Sequence, residues 1–261
     1  MVSAAERGDD VDANATDADS GGPAASPGEF HLALLRSFEL QLDGRVLRPC
    51  LSEQRLVALL AVRGGLPRSA VAGLLWPEVN DQRAHGNLRT ALWRLVKFCP
   101  GLVVVDGDHL VLGEVEIDVA AFTVWARRLV GGGPMIDGDV EAARATRVEL
   151  LPGWYDDWVV AEREQLRQLR LHALEALARE LAGRGRHAIA IEVALSAIAL
   201  DPLRESSNRI LISLYIAEDN LSEAARHLRI FADLLREELG VEPSPRMMRL
   251  VTSRVPTLQY L

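Results

Sequence analysis

The chain has 261 residues, 49% of them hydrophobic and 25% charged, which matches a soluble globular protein long enough for two domains. Its formal net charge of −8 is unevenly placed: residues 1–29 carry −6, residues 30–113 carry +3 and residues 114–261 carry −5. Only the middle block is basic, so nucleic-acid binding over the whole surface is excluded while a local contact stays open.

Residues 1–29 are rich in Ala, Asp, Gly, Ser and Pro and nearly free of large apolar side chains. They cannot bury enough surface to offset ordering and are expected to form a disordered acidic tail, either passive or competing with DNA for the basic block. From Phe30 the pattern changes to short strands. Leu32 and Leu34, then Phe38, Leu40 and Leu42, alternate with polar residues. Asp43-Gly44 signals a tight turn, and the return strand ends at Pro49. A helix follows with Ser52 as its expected N-cap and a stop at Gly64-Gly65. A second helix is expected to open at Pro67 and end before Pro77.

The third helix spans Asp81 to Phe98. Ala84, Leu88, Leu92, Leu95 and Cys99 form its apolar stripe. Arg83, Asn87, Thr90, Arg94 and Lys97 line the other side, one turn apart. Such a line can donate to phosphates and to base edges in a major groove, although a solvated polar face has the same pattern. Two β-rich runs then meet at Asp106-Gly107-Asp108, a hairpin by composition. Strands, three helices and a hairpin describe an α+β winged helix-turn-helix, with the third helix in the groove and the hairpin near the backbone.

The second half is expected to be all-α. Gly131-Gly132-Gly133-Pro134 breaks a helix that begins near Val119. Two helix pairs follow, Leu166–Ala182 with His187–Leu200 and Ser206–Glu218 with Ser222–Leu239, near the period of a tetratricopeptide array. Ala176, Ala190, Ala217 and Ala224 would let these helices approach closely; an ordinary helical bundle is the alternative.

Several segments together carry a family resemblance: FELQLDGRVL, Leu74-Leu75-Trp76-Pro77, AHGNLRTALWRL, IDVAAF at 117–122, LLPGWYDDWVVAEREQLR at 150–167 and EELGVEPSP at 237–245. Residues 30–122 resemble the OmpR-type winged helix of the antibiotic-regulatory activators called the SARP family. Residues 123–250 resemble that family's bacterial transcriptional activation domain. The resemblance implies an activator that recruits RNA polymerase holoenzyme to the direct repeats of antibiotic gene-cluster promoters, and pairing as a homodimer on DNA. It divides the chain into a tail (1–29), a winged-helix domain (30–117) and a tetratricopeptide-like helical domain (118–261).

Within this reading Arg83, Asn87, Thr90, Arg94 and Lys97 are the expected DNA contacts. Arg83 and Lys97, near the helix ends, suit phosphate; Asn87, Thr90 and Arg94 suit base edges. Arg89 and Trp93 flank the stripe, with helix packing the alternative for Trp93. His109 sits at a hairpin tip whose Asp106 and Asp108 would be repelled by phosphate. Trp76, Glu78 and Asp81 form the loop that faces polymerase in related activators, while Asp81 is also the expected cap of the third helix.

Trp154-Tyr155-Asp156-Asp157-Trp158 invites a glycosidic acid/base reading, but neighbouring carboxylates at a helix start point apart. The six histidines form no HExxH motif, and no P-loop or GxSxG occurs, so no catalytic residue, metal or cofactor is expected. Cys50 and Cys99 form no zinc or redox spacing, which fits a reduced cytoplasmic setting. No apolar run approaches the roughly 18 residues that a membrane span needs. The rival to a DNA-binding activator is a protein–protein adaptor built on the helical repeats, with a winged helix that no longer binds DNA.

Overall fold

The computed structural model describes residues 29–145 and 148–252. Apart from Glu29, the expected acidic tail lies outside them. The chain enters through three antiparallel strands, β1 (Phe30–Ala33), β2 (Glu39–Leu42) and β3 (Arg45–Leu47). Asp43 and Gly44 turn β2 into β3 with φ of 49° and 76°, the left-handed pair that matches strand twist in a two-residue hairpin. Helix α1 (Leu51–Arg63) follows, then the two-residue strand β4 (Leu66–Pro67), α2 (Arg68–Leu75) and α3 (Asp81–Phe98). The hairpin is β5 (Val103–Asp106) and β6 (His109–Leu112), after which β7 (Val115–Ile117) leaves the domain.

Two sheets result. The first has the order β3-β2-β1-β7, with β7 parallel to β1; the second has the order β4-β6-β5. Neither β4 nor β7 was expected from the sequence. Pro67 does not open α2 but pairs with His109 across the second sheet, so the hairpin is stitched to the segment between α1 and α2. Ser52 is not the cap of α1. The cap position is Cys50, two residues earlier, and Glu53 reaches back to accept from the Cys50 amide at 2.8 Å.

The helical half comprises α4 (Asp118–Val130), α5 (Asp139–Ala145), α6 (Asp157–Gly183), α7 (His187–Leu200), α8 (Glu205–Ala217), α9 (Leu221–Leu239) and α10 (Pro245–Thr252). Gly131 ends α4 as expected. Helix α6 starts at Asp157 rather than Leu166, because nothing between the WYDDW segment and Leu166 breaks the helix. From α6 to α9 each helix packs on the next, the antiparallel stacking of a tetratricopeptide-like array. Ala190 and Ala224 are fully buried in that stack. Ala176 is half-buried and Ala217 exposed, so those two do not set the close approach.

One apolar core runs through both halves, from Leu32 and Leu88 to Leu174 and Ala197. The seam between the halves is fixed by directed bonds as well. Asp118, at the first turn of α4, accepts from the Leu34 and Leu35 amides at 3.0 and 2.9 Å. Leu151 donates its amide to Leu34 at 2.9 Å, and Phe38 stacks on Trp154 at 6.2 Å. Arg55 pairs with Asp156, and Arg63 with Glu162 at 2.7 Å, joining α1 to the start of α6. Asp156 is thus a structural partner at a helix N-terminus.

Inside the stack, Glu175 is 4% exposed and accepts from Arg204 and from Ser207, each at 2.8 Å. Burial works against its charge, but hydrogen bonds from Arg204, Ser206 and Ser207 and the Arg204 charge outweigh it and hold the carboxyl below the usual carboxylate range. Its contribution is therefore complete above the unfolded-state pKa of about 4.3 and is lost as the pH falls through the lower folded value. Glu175→Ala is expected to cost roughly 3 kcal/mol at pH 7, because it leaves Arg204 unpaired. In denaturant titrations the gap between wild type and variant should close on acidification below pH of about 4.

Candidate nucleic-acid interface

Helix α3 is positioned by its apolar stripe. Ala84, Leu88, Ala91, Leu92 and Leu95 are all buried, and Cys99 follows at 1% exposure. Burial, then the nearby charge of Glu53, pushes the Cys99 thiol up to about 11, so it stays a neutral core residue. With that stripe buried, the opposite side must face solvent.

Asn80, not Asp81, caps α3: its Oδ1 accepts from the Arg83 amide at 3.0 Å. Asp81 is the first helical residue, where its carboxylate meets the positive end of the dipole and its carbonyl oxygen lies 2.8 Å from Nδ1 of His85. The cap therefore moves by one residue, and the Asp81 carboxylate stays exposed.

Arg83, Arg89, Thr90, Trp93, Arg94 and Lys97 are all exposed, and Asn87 is half-buried between them. Thr90 donates its hydroxyl to the Gly86 carbonyl at 3.0 Å, which leaves its oxygen as an acceptor and turns its methyl into the outward group. Among the described residues none of the four cations has a carboxylate partner. Arg94 approaches only the Cys50 sulfur, at 3.9 Å, and Lys97 lies 5.3 Å over the Trp93 ring. The helical half is built differently: Arg144, Arg167, Arg184, Arg204, Arg226 and Arg236 each hold a carboxylate. The cations on α3 are thus available for an external anion.

Trp93 is 65% exposed and forms an apolar wall of a groove of about 500 Å³. Arg48, Pro49, Arg94, Lys97 and Phe98 line the same groove. Arg48 was not among the expected contacts. Its place just before Pro49 at the end of β3 gave no helical periodicity to read.

The hairpin tip carries exposed Asp106, Asp108 and His109, with Asp106 opposite His109 in the register. The loop before α3 splits: Trp76 ends α2 and packs against the core, while Glu78 and Asp81 are exposed. Away from α3, Glu29, His31 and Glu116 bring ligand-type atoms within 4.8 Å of one another on the edge of the first sheet. His31 Nδ1 already lies 3.0 Å from a Glu116 carboxylate oxygen there.

Residues 137–253 match the family described as the bacterial transcriptional activator domain. The chain is also 30% identical over 241 residues to the regulatory protein AfsR of Streptomyces coelicolor, an alignment covering 85% of this chain and 24% of that protein. The helical half is therefore similar to bacterial transcriptional activator domains, and most of the chain is similar to part of a regulatory protein. The chain spans about a quarter of the length of that curated relative. The same fold, a winged helix followed by a helical domain, also appears in Mycobacterium tuberculosis EmbR, solved in complex with a low-affinity phosphopeptide. That similarity has a TM-score of 0.70 at 20% identity, over 90% of this chain and 66% of that one. It concerns the fold.

The two polar residues at the start of α3 separate by mutation. Asn80→Ala is expected to lower stability by about 1 kcal/mol through the lost cap, and Asp81→Ala by a few tenths through the dipole alone. Equal losses in urea titrations would return the cap to Asp81.

Proposed function

We propose that this chain is a SARP-family, sequence-specific DNA-binding transcriptional activator acting in the cytoplasm. The observation that carries the reading is the outward stripe of α3, whose cations lack carboxylate partners among the described residues and which belongs to a winged helix. In this arrangement α3 enters the major groove. Arg94 and Asn87 have the donor geometry for guanine and adenine edges, and Thr90 offers its methyl to thymine. Arg83, Arg89 and Lys97 hold phosphates, and Trp93 lies against the sugar-phosphate wall of the groove. His109 reaches the backbone from the hairpin tip.

The exposed carboxylates of Glu78 and Asp81, with the edge of Trp76, then face away from DNA toward a basic surface of RNA polymerase holoenzyme. The helical domain supports pairing of two copies on direct repeats. Its family points to promoters of a secondary-metabolite gene cluster. A role as protein–protein adaptor is the second reading, favoured by the acidic hairpin tip, since Asp106 and Asp108 oppose phosphate.

Arg94→Ala tests the base-reading role. On duplexes from the promoters beside its own gene it should cost roughly 1–3 kcal/mol of binding and flatten discrimination at one base pair. Lys97→Ala should weaken specific and random duplexes equally. Fluorescence anisotropy measures both. An Arg94→Ala loss equal on the two duplexes would make Arg94 a phosphate contact, and no binding of either duplex by the unmutated chain at low salt would support the adaptor.

A further inference from the structure

A cavity of about 500 Å³ lies in the helical half, walled by the C-terminal part of α6, the start of α7, α8 and α10. Ile210 and Leu214 give it an apolar floor. Arg179, Arg209, Arg246 and His187 line it as well, and among the described residues no carboxylate does. This concentration of positive charge stands in a half of the chain that carries −5.

The ion pairs available to these arginines are loose or absent. Arg179 is 3.4 Å from Glu175, and Arg209 is 3.3 Å from Glu205. Both carboxylates are held more closely by other donors: Glu175 by Arg204 and Ser207 at 2.8 Å, Glu205 by the Ser244 amide at 2.9 Å. Arg246 has no ion pair among the described residues. His187 is the first residue of α7, so the positive end of that helix dipole lies at the cavity wall. Like charges gathered around a partly apolar hollow repel one another, and neither packing nor solvation within the fold calls for that grouping. A bound anion removes the repulsion.

We propose that this cavity binds a small amphipathic organic acid. The carboxylate or phosphate head is held by Arg209 and Arg246, with Arg179 beside them, and the apolar body lies on Ile210 and Leu214. The volume falls within the range of small-ligand pockets, and guanidinium groups give the planar donors that such heads take up. Because Arg246 belongs to α10 and Arg209 to α8, an occupant ties the last described helix to the stack. The site is separate from the α3 stripe and gives the helical half a ligand of its own.

Isothermal titration of the full chain with octanoate, octyl phosphate and octan-1-ol tests it. Saturable one-site binding is expected for at least one of the two acids and none for the alcohol; the tighter acid names the head group. Arg246→Gln, at an exposed position, should weaken binding about tenfold. Arg226→Gln on α9 should leave it unchanged. Circular dichroism checks that each variant is folded. Failure of both acids to bind, binding of octan-1-ol as tight as that of the acids, or unaltered binding in the Arg209→Gln, Arg246→Gln double variant would overturn the proposal.

Discussion

The burial of one face of α3 is the constraint on which the site depends. Leu88, Leu92 and Leu95 are inserted among residues of α1, α2 and the hairpin, and each fully buried leucine contributes on the order of 2 kcal/mol. A rotation that hid Arg94 or Lys97 would expose those leucines and place unpaired charge in the core. The same apolar pattern that makes α3 a stable third helix therefore fixes which side chains stand outside. Charge availability follows from a second constraint, the pairing of acids elsewhere. Of the carboxylates near α3, Glu53 is committed to the start of α1, Glu78 and Asp81 stand exposed at the N-terminal end of α3, and Asp106 and Asp108 sit at the hairpin tip.

The seam extends this rigidity from the winged helix to the helical stack. Asp118 ties the end of β1 to the start of α4; Arg55 with Asp156 and Arg63 with Glu162 tie α1 to α6. The partners are one-third exposed or less, so these pairs are less screened than surface ones. With the continuous apolar core they orient α3 relative to the helical stack. A proposed DNA contact on one half and a proposed ligand cavity on the other are thus joined through α6, which carries seam contacts at one end and a cavity wall at the other.

Much of this was legible in the chain. The stripe of α3, the Asp43-Gly44 turn, the hairpin and the stacked helix pairs follow from local periodicity and turn chemistry. What was hidden depends on distant partners. Strand β4 is two residues long and exists through pairing with β6; β7 exists through parallel pairing with β1. Asn80 and Asp81 are both good capping types, and only backbone geometry decides between them. Arg48 joins the groove beside Trp93 because β3 and α3 meet in space. The α6–α10 cavity gathers residues up to 71 positions apart, from Arg179 to Leu250, and no motif marks it.

The central claim is that the free cations of α3 meet DNA phosphates, and the salt dependence of duplex binding tests it most directly. The three that hold phosphate, Arg83, Arg89 and Lys97, release about as many counterions, so log Kobs against log salt for a random duplex should fall with a slope of about −3. A slope near zero, or no binding at low salt, would contradict the account.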